Sequence, residues 1–132
     1  MTQYWRDTVL SARQMRRNLH AQPELTWQEK NTCQLVRESL TALHIPWEPC
    51  ATFGTIARLK PEKCASHTPH IALRGDMDAL PIREKTGKPW QSTIDGCMHA
   101  CGHDGHTATL LATAQWLKYH ENALPGPVTL LF

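Results

Sequence analysis

The segment Gly96-Cys97-Met98-His99-Ala100-Cys101-Gly102-His103-Asp104-Gly105-His106 crowds two thiols, three imidazoles and a carboxylate into eleven residues. A glycine-punctuated stretch that rich in donors is hard to fold unless something binds them. Thiolate sulfur, imidazole nitrogen and carboxylate oxygen are the usual protein ligands of divalent transition metals. A solvated polar loop ahead of a helix is the plainer alternative, and clustering of this density argues against it. Any fold for this chain has to gather these side chains around one place.

Hydrophobic periodicity supplies the frame. Trp5, Val9, Ala12, Met15 and Leu19 fall on one stripe of an amphipathic helix that ends before Pro23. Thr26-Trp27-Gln28-Glu29 has the spacing of a capping box, with Thr26 serving free amides and Glu29 reaching back. The helix it opens buries Cys33, Val36, Leu40 and Leu43, and Pro46 and Pro49 break the pattern after it. Short strands are expected at Thr55 to Leu59 and at His70 to Arg74, joined by a polar surface loop from Lys60 to Pro69. Pro81 to Gly96 has no clean period and reads as a long irregular excursion, the kind that often carries function. A third helix starts near Gly105 and buries Thr107, Leu110 or Leu111, Ala114 and Leu117. Pro125-Gly126-Pro127 turns the chain into the apolar run Val128 to Phe132, a strand buried on both faces.

Helices interleaved with buried strands predict an α/β fold with a parallel, right-handed crossover from Ile71 through the third helix to Leu131. Sites in such sheets form at the carboxyl ends of strands. Asp76 and Asp78 lie just past one strand end, and the Cys/His segment precedes the helix leading to the next. The two groups are therefore expected to meet at one sheet edge. A carboxylate pair there can bind a metal, orient a metal-bound histidine or move protons.

At 132 residues the chain is one domain at most, and its net charge of +2 gives no reason to expect nucleic acid or membrane partners. Arg13, Arg16 and Arg17 read as a solvated helix face. Five cysteines, an odd number, with no secretory signal at the N-terminus point to reduced thiols and a cytoplasmic location.

Leu73-Arg74-Gly75-Asp76-Met77-Asp78-Ala79-Leu80-Pro81-Ile82 and the run Gly96 to Ala108 closely resemble the metal-dependent, aminoacylase-like amidohydrolases. These include hippurate hydrolase, indole-acetyl-amino-acid hydrolases and N-acetyl-diaminopimelate deacetylase. Arg17 to Leu25, with Glu29 and Thr32, resembles their N-terminal signature. The resemblance implies a hydrolase with two divalent metal ions that cleaves the amide bond of N-acylated amino acids. It implies a partial three-layer α/β catalytic domain like that of the zinc peptidases, of which residues 1–132 are the N-terminal part. A dimerisation or lid domain and the C-terminal half would follow, and the complete form would be a homodimer or tetramer. Cys101 and His103 are the metal ligands it implies, and Asp78 the catalytic, ligand-orienting aspartate. Asp76 stands where distant relatives carry a metal-binding histidine, while His99, Asp104 and His106 are supporting residues. Zinc or manganese leads, with cobalt and nickel also compatible with these donors.

Relatives continue past the last apolar strand with a Pro-Ala-Glu-Glu segment that supplies the general base and a further ligand. The 132 residues are accordingly expected to be inactive alone, with an apolar edge at the final strand. Two other readings remain at this point. One is a closed, non-catalytic site of Cys97, His99, Cys101 and His103; the other is an interaction remnant that pairs with an intact relative.

Overall fold

The computed structural model describes residues 2–60 and 67–132. Helix α1 (Gln3–Ala21) is followed by α2 (Lys30–Ala42), β1 (Trp47–Cys50), β2 (Gly54–Leu59), β3 (Ile71–Arg74), α3 (His103–Tyr119) and β4 (Val128–Leu131). The strands form one mixed sheet in the order β1-β2-β4-β3. β2 runs antiparallel to both β1 and β4, whereas β3 and β4 are parallel, with Ile71 opposite Val128 and Arg74 opposite Leu131. The α/β architecture and the parallel crossover through α3 are as the sequence predicts.

Val36, Leu40, Ile45, Ala57, Leu59, Leu110, Leu111, Ala114 and Leu130 form the core between α2, α3 and the sheet. Each fully buried leucine or isoleucine contributes about 1.5–3 kcal/mol. α1 packs chiefly on α3. Its buried stripe is shifted from the expected one: Val9 is exposed and Thr8 is buried, its hydroxyl donating to the Tyr4 carbonyl at 2.9 Å. Satisfying the hydroxyl within the helix is what lets a threonine take the inward position.

Several expectations change. Thr26 does not cap α2, because its hydroxyl is spent on Asp78. Glu24 serves instead, its carboxylate accepting the Asn31 and Thr32 amides at 3.0 and 2.8 Å. Pro46 and Pro49 do not prevent a strand: Pro49 sits in β1, the sheet edge, where a missing N–H is tolerated. β4 is no edge either, since β2 and β3 flank it and Leu130 is buried. Its alternate residues Thr129 and Leu131 are only half-buried, so it is not buried on both faces. Residues 61–66 of the expected surface loop, including Cys64, lie outside the described residues.

The excursion from Pro81 to Gly96 is irregular, as expected, yet pinned to the end of α1. The Arg17 guanidinium lies over the Trp90 ring at 4.1 Å, and the Thr93 amide and hydroxyl both donate to the Ala21 carbonyl. Arg17 is thus stacked on an aromatic face, and Arg16 is ion-paired; neither is merely solvated.

Candidate metal centre

β3 ends at Arg74, and the chain leaves the sheet through Gly75, whose amide donates to Leu131 O at 2.9 Å. A Cβ on Gly75 would lie 3.1 Å from the His106 carbonyl, so glycine lets the strand end pass directly under the first turn of α3. Thr107 reinforces this contact by donating to the Asp76 carbonyl at 2.9 Å. On the other flank, Leu80 and Met98 exchange two backbone hydrogen bonds of 3.0 Å, which hold the Cys/His segment beside Asp78. Gly102 adopts φ 84° as the N-cap residue of α3, a conformation that strongly favours glycine. The helix starts at His103, two residues earlier than expected, which puts His103 and His106 on one face a turn apart. Their rings stack with centroids 5.2 Å apart.

Nδ1 of His103 lies 2.8 Å from Asp78 Oδ1 and 3.0 Å from the Asp78 carbonyl. Both partners only accept, so Nδ1 donates to Asp78, and Nε2 is the ring nitrogen left over for another partner. Thr26 donates to the other carboxylate oxygen, Oδ2, at 2.7 Å. Partial burial pushes the Asp78 carboxyl up, but the hydrogen bonds from Thr26 and His103 and the field of His103 outweigh it. Its pKa falls below the ordinary aspartate value, and Asp78 is ionised at neutral pH.

Asp76, His103 and His106 each bring one ligand atom within 4.8 Å of the other two. Asp76 is also paired with Arg74 at 2.5 Å, which anchors its carboxylate at the sheet edge. The paired aspartates and the histidines of α3 therefore do meet where the topology requires. Oxygen and imidazole donors around one point, with one imidazole locked in the ligating tautomer by a carboxylate, fit a divalent cation.

Behind this group lies a second network. Asp104 is fully buried, and its Oδ2 receives Arg16 Nε at 2.8 Å and faces His20 Nδ1 at 2.7 Å. The other ring nitrogen of His20 faces Glu84 at 3.2 Å. Glu84 in turn accepts the Ser92 amide at 2.6 Å and the Thr86 hydroxyl. Burial raises the Glu84 pKa, and the bonds from Ser92, Thr86 and His20 more than reverse that, so it lies below the usual value. The network ties α1, the 81–96 excursion and the first turn of α3 together. His20 is thus a hydrogen-bonding residue of this network and not one of the three converging residues. The sequence alone marks neither Arg16 nor Glu84 as part of this network, because their partners Asp104 and His20 lie 88 and 64 residues away along the chain.

Cys101 is exposed, one residue before the N-cap, and is not among the three converging residues. Cys97 is buried, its thiol donating to the Pro23 carbonyl at 3.6 Å. Desolvation, with the nearby Glu24 charge, pushes that thiol above its ordinary pKa, which disfavours thiolate. A closed site using Cys97 is therefore not what the fold builds. His99 is buried with neither ring nitrogen hydrogen-bonded. Desolvation lowers its pKa and outweighs the nearby charges of Asp104 and Asp78, which act to raise it.

Residues 72–132 match the family model described as peptidase family M20/M25/M40. The chain is 43% identical over 119 residues to the IAA-amino acid hydrolase ILR1-like 5 of Arabidopsis thaliana, covering 89% of this chain and 26% of that protein. It is 46% identical to the N-acetyl-L-cysteine deacetylase of Bacillus subtilis, covering 89% and 28%. Among solved structures it superposes with TM-score 0.89 and 40% identity on the Bacillus subtilis YXEP protein, described as a dinuclear metal-binding peptidase of the M20 family. That match covers 96% of this chain and 35% of the other. The chain thus spans about a quarter to a third of the length of these relatives. Fold, motif and site geometry agree with this similarity, and residues 72–132 carry the match to peptidase family M20/M25/M40.

Proposed function

We propose that this chain carries part of the metal centre of an amidohydrolase that cleaves the amide bond of N-acylated amino acids. The observation that carries this reading is the Asp78–His103 hydrogen bond beside the converging Asp76, His103 and His106. Cys101 and His103 would be ligands, with Asp76 and His106 placed to add donors toward a pair of divalent cations. Zinc and manganese suit this oxygen, nitrogen and sulfur set, as do cobalt and nickel. A bound cation supplies water activation at neutral pH and polarisation of the amide carbonyl. The chain's own contribution is positional. Asp78 keeps the proton of His103 on Nδ1, and Thr26 fixes Asp78 from the far side.

The Arg16–Asp104–His20–Glu84 network, centred on the buried Asp104, holds the first turn of α3 in place, so that His103 and His106 arrive preorganised. The similarity supports the reading, because the named relatives are an IAA-amino acid hydrolase and an N-acetyl-L-cysteine deacetylase. A two-cation hydrolytic centre needs more protein donors than these residues provide, since each catalytic cation usually takes three plus water. The 132 residues alone are therefore expected to bind metal and hydrolyse nothing. The test is zinc or manganese binding by calorimetry, paired with an assay on N-benzoylglycine and N-acetyl amino acids. Absence of binding sinks the metal reading, and turnover sinks the claim of inactivity.

A further inference from the structure

We infer that His20 is a pH-sensitive latch that ties the 81–96 excursion to the body of the chain. Nδ1 of His20 lies 2.7 Å from Asp104 Oδ2, and Nε2 lies 3.2 Å from Glu84 Oε1. An ionised carboxylate only accepts, so each ring nitrogen needs its own proton to make its bond. A neutral imidazole has one N–H and serves one of the two carboxylates; only the imidazolium serves both. Solvent is kept from filling in, because the side chains of His20, Glu84 and Asp104 are 6, 4 and 0% exposed.

The two links are unequal. Asp104 makes the shorter contact and is fully buried, so the single proton of a neutral His20 stays on that side. The remaining lone pair then faces Glu84 Oε1, and the attraction there becomes a repulsion. The link that opens is the one to the excursion. Every element packed on the ring contributes to this balance: Arg16 of α1 through Asp104, Asp104 of α3, Glu84 of the excursion, and His99, whose ring centroid is 6.3 Å away. Burial raises the Glu84 pKa, but the bonds from Ser92, Thr86 and His20 outweigh it and hold it below the ordinary value. Glu84 therefore remains an acceptor where histidine usually changes charge, between about pH 5 and 8.

The other ties of the excursion reach the same turn of α1. The Thr93 amide and hydroxyl donate to the Ala21 carbonyl, each at 2.8 Å, and Arg17 lies over the Trp90 ring. His20 sits between Arg17 and Ala21. At its two ends the excursion joins Leu80 and the Cys/His segment, which the Leu80–Met98 bonds hold beside Asp78. Opening the Glu84 link thus loosens the loop that leads into the donor-rich segment.

The experiment is NMR hydrogen exchange on the metal-free 132-residue chain, with the His20 ring followed in the same samples from about pH 5 to 8. The protection of the Thr93 amide, corrected for its intrinsic rate, should fall about tenfold as His20 loses its second proton. Its midpoint should coincide with that of the His20 ring. The Phe132 amide, bonded to the Thr55 carbonyl at 3.0 Å, should not follow it, which separates the latch from global unfolding. Glu84→Gln should flatten the Thr93 response, because a carboxamide accepts from the protonated Nε2 and donates to its lone pair. His20→Gln should flatten it as well. Constant Thr93 protection while His20 titrates overturns the latch, as does an unchanged response in Glu84→Gln. The wild-type midpoints decide by themselves should either variant fail to fold.

Discussion

The hydroxyl of Thr26 and Nδ1 of His103 grip opposite oxygens of one carboxylate, that of Asp78, at 2.7 and 2.8 Å. Two donors from distant parts of the chain converge on this one aspartate. Such an arrangement fixes the ring orientation and tautomer of a histidine whose other nitrogen points elsewhere.

Asp78→Asn should therefore weaken zinc binding by the 10–100-fold typical of lost orienting partners. The amide still fills the space, so the melting temperature should change little. Thr26→Val should show a smaller loss in the same direction, because His103 keeps its carboxylate. Calorimetric titration alongside thermal unfolding reads both quantities. Unchanged zinc affinity in Asp78→Asn would remove the orienting role.

The two cysteines of the Cys/His segment should behave differently. Cys97 is buried with its thiol on the Pro23 carbonyl, whereas Cys101 is exposed beside the start of α3. Cys101→Ser should weaken metal binding, and Cys97→Ser should leave it intact while lowering stability, since a polar hydroxyl replaces a small apolar group. Cobalt titration with absorption in the thiolate charge-transfer region distinguishes the two. Equal loss from both variants would restore the closed four-ligand site.

Gly102→Ala isolates backbone strain. Nothing lies within 4 Å of the added Cβ, and φ is 84°, so the penalty is conformational, about 1–2 kcal/mol. Gly87 has φ 65° and equally open surroundings but lies in the excursion. Gly87→Ala should cost a similar amount in urea unfolding, yet only Gly102→Ala should perturb zinc affinity, because Gly102 sets the entry of His103 into α3.

Much of this was legible in sequence because it is local. Apolar periodicity gave α1, α2 and α3, and the buried run at Val128 marked β4. The meeting of Asp78 with His103 followed from topology alone, since strand end and helix start share an edge in a parallel crossover. What stayed hidden was pairing over distance. Thr26 carries a capping pattern whose hydroxyl a carboxylate 52 residues away claims instead. Arg16 looked solvated because Asp104, 88 residues on, is its partner. β1 escaped notice because proline is excluded only from positions that need its N–H, and a sheet edge does not.

Glu84 provides the pH test. Its folded pKa is depressed below the ordinary 4.5 because the hydrogen bonds from Ser92, Thr86 and His20 overcome the cost of burial. A group with a depressed folded pKa contributes stability above its unfolded pKa, and that contribution is lost as pH falls through the folded value. Wild-type stability should therefore decline on the acid side, below about pH 4.5, as Glu84 and other held carboxylates take up protons. Glu84→Gln should be less stable at neutral pH by about 1–3 kcal/mol, the scale for disrupting a buried hydrogen-bonded charge. It should also show a shallower acid decline, because one linked proton has been removed. Urea midpoints measured across the acid range give both numbers. If Glu84→Gln matched the wild type in neutral stability and in acid slope, the carboxylate would not be the anchor that ties the excursion to His20 and, through Asp104, to the helix carrying His103.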